Sequence, residues 1–261
     1  MKIAVVAAVA SLVLLSACSG EDQHAPGTSP SVTSGTAAAA PAGSVAPAGR
    51  LAAAATRTGG GTYTFKTTSA ALTVDGAADP AGPTSTGKAV ITVDKATIAF
   101  ESLFAAGTYL VRITGLPGID GQKWLRIDRA KLKGADPLGV AEVKDPTGLS
   151  GLPGVVSTAT TTDGREFKGT LDLTMGGYSV VGPAAAKGLG DLARAVPFTA
   201  TVDEQGYLTS VKVSVPAYAQ TKADEVTVAY GGFGAPLRAP SPPASEVIDA
   251  PTAAYSLLNG K

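Results

Sequence analysis

The sequence contains a single cysteine and a single histidine, Cys18 and His24, and both lie near its start. The rest of the chain therefore has no thiol or imidazole for a disulfide, a Cys/His metal site or histidine general-base catalysis. Aromatic residues make up only 5% of the chain, which leaves few rings for stacking sugars. The 21 basic and 21 acidic residues cancel, which argues against nucleic acid as a partner. These deficits favour a protein that is not an enzyme and uses no cofactor. Paired-carboxylate glycosidase chemistry, which needs neither a thiol nor an imidazole, stays open as an alternative.

The chain also lacks a long apolar run. Ile3 to Leu15 is almost wholly apolar but shorter than the roughly 20 residues that span a bilayer. With Lys2 before it, it is typical of a secretory signal peptide. Leu15-Ser16-Ala17-Cys18 follows and resembles the bacterial lipobox. The resemblance implies that residues 1–17 are removed, that Cys18 carries a diacylglyceryl anchor, and that the protein lies on the outer face of the cell membrane. The alternative is an ordinary secretory signal with a chance cysteine.

Large apolar side chains are scarce between residues 18 and 60, where Ala, Gly, Pro, Ser and Thr dominate. Such a segment cannot bury enough apolar surface to offset the entropy of ordering. We therefore expect residues 18–60 to be a disordered tether that keeps a folded domain near the membrane. Residues 61–250 are expected to form that domain, and residues 251–261 a C-terminal tail.

Alternation of apolar and polar residues recurs through residues 61–250 and predicts β-strands. Examples are TYTFKTT, GKAVITVD, TYLVRIT and REFKGTLDL. Helical spacing is rare. Pro183–Ala195 is the best helical candidate, and Pro137–Val143 is a second, shorter one. The pattern predicts an α+β fold with a large antiparallel sheet of about eight to ten strands and one or two helices.

Glycine-containing dipeptides between these runs predict turns. Asp75-Gly76, Asp120-Gly121 and Asp163-Gly164 are typical of β-hairpins. Gly-Leu-Pro-Gly occurs at residues 115–118 and again at residues 151–154, and we expect both copies to form turns.

The layout of lipobox, tether and long antiparallel strands resembles the actinobacterial LppX/LprA/LprF/LprG lipoproteins. Two motifs strengthen the resemblance. Trp-Leu-Arg-Ile-Asp stands at residues 124–128 after Asp120-Gly121, and VTVAYGGFGAPLRAPSPPASEVIDA closes the domain at residues 226–250. The resemblance implies a curved half-barrel sheet with helices against its concave face, enclosing an apolar cavity for acylated lipids or glycolipids. It also implies two further partners, which are the membrane, contacted through the anchor, and an envelope transporter.

The candidate cavity wall consists of the inward positions of the predicted strands. These are Tyr63, Phe65, Ile91, Val93, Val111, Ile113, Leu125, Ile127, Phe198, Val211 and Val213. A gap lined by such side chains would hold acyl chains. The same alternation also suits a filled core. The alternative function is therefore a non-enzymatic scaffold or adhesion lipoprotein that holds a protein partner.

Three further motifs have weaker readings. Ser85-Thr86-Gly87-Lys88 matches the Ser-x-x-Lys of penicillin-interacting enzymes, but it precedes a strand and lacks the companion motifs. The glycines of residues 188–193 match a loose dinucleotide fingerprint without a preceding parallel strand. The basic run Lys123–Lys133 is either a solvated strand face or a contact for anionic lipid headgroups.

Overall fold

Strands are the commonest element of the structure, a computed structural model that describes residues 46–70, 72–93, 96–132 and 145–259. The strands of this part are β1 (Tyr63–Thr68), β2 (Leu72–Asp79), β3 (Thr84–Val93), β4 (Ala96–Ala105), β5 (Thr108–Thr114), β6 (Trp124–Arg126), β7 (Val156–Thr161), β8 (Glu166–Leu171), β9 (Val196–Val202), β10 (Leu208–Val215), β11 (Asp224–Gly231) and β12 (Val247–Asp249). The α-helices are α1 (Pro47–Gly59), α2 (Leu152–Val155), α3 (Pro183–Leu189) and α4 (Thr252–Leu258).

All of these strands belong to one curved, open sheet, in the order β12-β6-β5-β4-β3-β2-β1-β11-β10-β9-β8-β7. Neighbouring strands are antiparallel except β12 and β6, which are parallel. Pairing of β1 with β11 in the middle joins two runs of hairpins. The predicted α+β fold class is confirmed, with 12 strands where eight to ten were expected.

One face of the sheet, here called the inner face, is apolar across most of its width. The strand register aligns a single row of side chains over nine strands, and only its central threonine is polar. The row is Ile113, Phe100, Ala89, Val74, Thr67, Val228, Val211, Ala200 and Phe167. Helices α1, α2 and α3 join the apolar cluster on the β7–β11 side, and α4 joins the cluster on the β3–β6 side. The inner face therefore holds the core.

The opposite, outer face has a row of alternating charges across β1 to β5. This charge row consists of Lys66, Asp75, Lys88, Glu101 and Arg112, each aligned with the next. Lys66 lies 3.6 Å from Asp75, and Lys88 lies 3.2 Å from Glu101. Glu101 also pairs with Arg112, whose guanidinium lies over the Trp124 ring. Opposite charges on adjacent strands support this register.

The end of the predicted tether is wrong, because Pro47–Gly59 forms helix α1. Pro47 lies in the first turn, where its missing N–H is not needed, and alanine-rich sequence favours a helix. Leu51, Ala54, Ala55 and Thr58 form a buried stripe at helical spacing. Small side chains allow a helix to pack closely, so this segment buries a face although it has few large apolar residues. The tether predicted over residues 18–45 lies outside the described residues.

The predicted C-terminal tail is also partly folded. Thr252–Leu258 forms helix α4, in which Ala254 and Leu258 are fully buried against the inner face of β3 to β6. Residues 260–261 lie outside the described part. The domain therefore extends beyond residues 61–250 at both ends.

The predicted turn at Asp75-Gly76 is wrong, because both residues lie inside β2. The chain instead turns at residues 80–83, where the Asp79 carboxylate accepts the N–H groups of Ala81 and Gly82. Gly76 serves a close approach. A Cβ atom there would lie 2.4 Å from Cζ of Phe65, the residue opposite it on β1. Glycine makes room for the aromatic ring.

The other turn and helix predictions have mixed outcomes. Asp163-Gly164 turns the chain between β7 and β8, with Gly164 at φ 75°. The first Gly-Leu-Pro-Gly, residues 115–118, lies in the loop after β5. The second, residues 151–154, is wrong as a turn because it lies in a 3-10 segment and α2. Pro183–Ala195 forms α3 followed by a 3-10 segment, and Pro137–Val143 lies outside the described residues.

The dipeptide Asp120-Gly121 lies in the loop that joins β5 to β6, which runs from residue 115 to residue 123. The Asp120 carboxylate accepts the N–H of Gln122 at 2.9 Å. The dipeptide therefore belongs to a longer loop than the two-residue hairpin that the sequence predicts.

Candidate functional site

The residues predicted to line a cavity lie on the inner face, but they divide between two apolar clusters. The cluster under α1 to α3 contains Tyr63, Phe65, Phe198, Val211 and Val213. The cluster under α4 contains Val111, Ile113, Leu125 and Ile127, with Ile91 packed beside it. The side chain of Val93 lies outside the described part. The apolar–polar alternation therefore predicted correctly which side chains face inward. The structure places those side chains in two separate clusters, not around one cavity.

Beside the cluster under α4, part of the inner face of β2 to β4 is less covered. Leu72, Val74, Ile91 and Ile98 are only partly buried, and we call these four residues the aliphatic strip. Next to them, Gly87 and Ala89 of β3 have no side chain beyond Cβ. The middle of the sheet is therefore apolar and lined in part by very small residues.

A cavity of about 650 Å³ lies among the loops and helices formed by residues 145–150 and 173–190. Its apolar wall includes Leu173, Val181 and Ala186, and its polar groups include Asp145 and Lys187. This large cavity falls in the size range of small-molecule sites, which bury an apolar ligand and orient it with a few polar groups.

A second, small cavity of about 390 Å³ adjoins the first. It is lined by Ala55 of α1, by Tyr63 of β1 and by Leu149. Asp145 and Ser150 line both cavities. The two spaces therefore meet at residues 145–150, the turn that leads into α2.

Asp145 shapes that turn. Its two carboxylate oxygens accept the N–H groups of Leu149 at 2.8 Å and Ser150 at 2.7 Å. The hydroxyl of Thr147 lies 3.4 Å from the same carboxylate. These contacts satisfy backbone donors at the start of a helical segment. The carboxylate thus fixes the boundary between the cavities.

Three tyrosines meet at this boundary and form what we call the tyrosine cluster, Tyr63, Tyr178 and Tyr230. The rings of Tyr63 and Tyr230 contact edge to face, with centroids 6.0 Å apart. Their hydroxyls lie beside that of the buried Thr147. Tyr63 lines the small cavity and Tyr178 lines the large one. The tyrosine cluster therefore places polar groups inside an otherwise apolar core.

Burial raises the pKa of all three tyrosine hydroxyls above the ordinary value, and the negative charge of Asp145 raises it further. The phenols are therefore neutral hydrogen-bond donors at neutral pH. The hydroxyls of Tyr178 and Tyr230 lie near each other, but neither makes a hydrogen bond of good geometry to a described residue. Buried hydroxyls without a partner are uncommon and costly.

Two exposed hydrophobic side chains lie near the large cavity. Met175 is 70% exposed on the 3-10 segment Leu173–Met175, and Leu192 is 52% exposed on the 3-10 segment Gly190–Ala195. The two segments contact each other, and each contributes residues to the cavity wall. The sequence analysis assigned neither residue to a site. Met175 belongs to no periodic apolar pattern, and Leu192 counted only toward the helical spacing of Pro183–Ala195.

The weaker motifs do not form sites. Ser85 and Lys88 lie on opposite faces of β3, since Ser85 aligns with the inward Phe104 and Lys88 with the outward Glu101. The glycines of residues 188–193 end helix α3, and no parallel strand leads into them.

The described cations of the basic run contact their own chain. Arg126 pairs with Asp249 at 2.9 Å, Lys123 donates to the Ser245 carbonyl at 2.9 Å, and Lys131 lies 3.7 Å from Asp128. Arg129 lies over the Phe104 ring. These contacts favour the solvated strand face over the headgroup contact. Lys133 lies outside the described residues.

Comparison with known proteins adds no assignment, since the chain matches no protein-family model and no curated protein. Among the described residues, no helix combines the length and the apolar character needed to cross a membrane. The lipobox cysteine, Cys18, lies outside the described part.

Proposed function

We propose that this protein is a membrane-anchored lipoprotein that binds acylated lipids or glycolipids and transports them within the bacterial cell envelope. The observation that carries the proposal is the aliphatic strip, which lies partly uncovered on the inner face beside the apolar cluster under α4. Apolar surface that stays open inside a curved sheet is favourable to cover, at about 25 cal/mol per Å². A lipid tail is a ligand of the right chemistry.

Acyl chains suit this surface because they need contact with aliphatic side chains and no hydrogen bonds. Burial contributes about 0.8 kcal/mol for each methylene. A lipid that leaves a bilayer loses similar contacts, so the net affinity is modest and exchange is feasible. A carrier needs such a balance in order to load and to release its cargo.

The lipobox and the resemblance to the LppX/LprA/LprF/LprG lipoproteins support the same function. A diacylglyceryl group on Cys18 would hold the domain beside its lipid source, because two acyl chains anchor stably where one is marginal. The exposed Met175 and Leu192 would let the region of the large cavity touch that membrane. An envelope transporter would be the natural donor or acceptor of the lipid.

The test uses protein with Cys18 replaced by serine and without residues 1–17, titrated with a fluorescent diacyl phospholipid. We expect saturable binding. Ile91→Trp, which fills the aliphatic strip, should weaken binding at least tenfold. Val90→Trp is the matched control, because Val90 is the preceding residue of β3 and is exposed on the outer face. It should bind as the parent protein does.

Two results would contradict the proposal. One is a parent protein that binds no lipid, and the other is an Ile91→Trp variant that binds normally. In either case the alternative, a non-enzymatic scaffold or adhesion lipoprotein, becomes the better reading. Its partner could bind the outer-face cleft of about 580 Å³ that is lined by Trp124, Arg238 and Pro240.

A further inference from the structure

Two hydroxyls of the tyrosine cluster lie near each other, and one of them lies near Thr147, but they are not well paired among the described residues. The hydroxyl oxygens of Tyr178 and Tyr230 are fully buried, and neither has a hydrogen bond of good geometry within the described structure. Both side chains are more than nine-tenths buried. Phenylalanine would fill the same space without the desolvation cost of a hydroxyl. The two hydroxyls therefore indicate an acceptor that binds between them.

We propose that the hydroxyls of Tyr178 and Tyr230 donate hydrogen bonds to the ester carbonyl at the head of a bound acyl chain. This inference rests on the proposed lipid-binding function. A carbonyl oxygen has two lone pairs and no proton to donate, so one oxygen can accept both hydroxyls. An ester is the one polar group that every acylated glycerolipid carries at the start of its tails.

The position of the cluster on the sheet agrees with this orientation. Tyr230 aligns with Phe65 of β1, which aligns with Gly76 of β2. Leu72, the first residue of the aliphatic strip, lies four positions along β2 from Gly76, or about 14 Å at the rise of a strand. A carbonyl at the tyrosine cluster would thus direct its hydrocarbon tail along the inner face toward the strip.

The large cavity gives the polar end of the lipid access to the tyrosine cluster. Tyr178 lines the large cavity, which is open to solvent and holds Lys187 and Ser150 on its wall. A headgroup attached to the ester would therefore remain near polar side chains and water while the tail is buried. The tyrosine cluster is the point at which the ligand changes from polar to apolar.

The experiment compares two fluorescent phospholipid probes that differ only at this group, a diester lipid and its diether analogue, which has no carbonyl. We expect the parent protein to bind the diester roughly tenfold more tightly, as two modest hydrogen bonds predict. Tyr178→Phe and Tyr230→Phe should each reduce this preference about threefold, and the double variant should bind both lipids with the affinity that the parent shows for the diether.

Tyr207→Phe is the matched control. Tyr207 stacks on Phe233 with centroids 4.3 Å apart and is not part of the tyrosine cluster. It should keep the full preference for the diester. The single variants also guard against misfolding of the double variant, because each can be checked for a native melting transition.

The outcomes separate this inference from the proposed function. A parent protein that binds neither probe overturns both. Equal binding of diester and diether by the parent, or a diester preference that survives both phenylalanine substitutions, overturns the inference and leaves lipid binding intact. The hydroxyls would then hold an ordered water in place of a carbonyl.

Discussion

Glu101 shows how single residues hold the register of the sheet. Its carboxylate lies between Lys88 on β3 and Arg112 on β5, and Arg112 in turn covers the Trp124 ring. Partial burial by itself would raise the pKa of Glu101, but hydrogen bonds from Lys88 and Arg112 and their positive charges outweigh it and hold the pKa below its ordinary value. The ionised form is therefore bound more strongly in the folded protein than in the unfolded chain.

Replacing Glu101 with glutamine should destabilise the domain by about 1 kcal/mol at pH 7, because two cations lose their shared partner. A lowered folded-state pKa means that this stabilisation is present above the unfolded pKa and is lost as the pH falls through the folded value. The difference between the two proteins should therefore shrink below about pH 4.5. Urea unfolding followed by Trp124 fluorescence at several pH values measures it.

Asp75→Asn is the control within the same charge row. Asp75 is largely exposed and its single ion pair with Lys66 is 3.6 Å long, so the loss should stay within about 0.5 kcal/mol. An E101Q deficit of the same size at pH 3 and pH 7 would show that packing, and not charge, explains the role of Glu101.

At the scale of elements, the strands were predictable because alternation is a local property. Each inward residue of TYLVRIT or REFKGTLDL points inward whatever its neighbours are. Helix α1 was not predictable by the same argument, because its buried stripe contains only one large apolar side chain, Leu51, and is buried only because β7 and β10 lie against it. The role of Gly76 also depends on a neighbour, since the ring that needs the space belongs to another strand.

The two 3-10 segments that carry Met175 and Leu192 give a prediction about exchange with membranes. Exposed apolar side chains can enter the boundary between headgroups and acyl chains, and a charge at these positions opposes entry. Met175→Glu combined with Leu192→Glu should slow lipid transfer between vesicles about tenfold and change equilibrium lipid affinity less than twofold. Transfer is followed as dequenching of a fluorescent lipid.

Val90→Glu places one negative charge, against two in the double variant, at an exposed apolar residue of the outer face that does not line the large cavity. It should transfer lipid at the parent rate. If the double variant also transfers at that rate, these segments do not contact the membrane. If Val90→Glu slows transfer equally, the effect is one of net charge alone.

For the whole molecule, the sequence predicted which side chains face inward but not which of them come into contact. The pairing of β1 with β11 joins residues far apart in the chain, and no local pattern indicates it. The cavities have the same origin, because the large one forms where the turn at residues 145–150 packs beside residues 173–190, and the small one forms where that turn packs beside α1 and β1. The tyrosine cluster draws its members from β1, β11 and a loop, and only the complete fold brings their hydroxyls together.

The proposed anchor would connect the folded domain to its place of action, and it gives the last prediction. If Cys18 receives a diacylglyceryl group, Cys18→Ser removes the only thiol that can accept it. Two buried chains contribute about 0.8 kcal/mol per methylene, so their loss should move the protein from the membrane fraction to the soluble fraction or leave an uncleaved precursor. Fractionation with acyl labelling and intact mass measures the change.

Ser19→Ala is the control, because it alters the residue next to the cysteine and spares the thiol. It should stay acylated and membrane-bound. Lipid binding by the purified Cys18→Ser domain should remain normal, because the tyrosine cluster and the aliphatic strip lie in the folded domain and not in the anchor. Membrane association that persists in Cys18→Ser without any acyl label would mean that the chain is held by another contact, and the anchor would have no part in how the domain reaches its lipid.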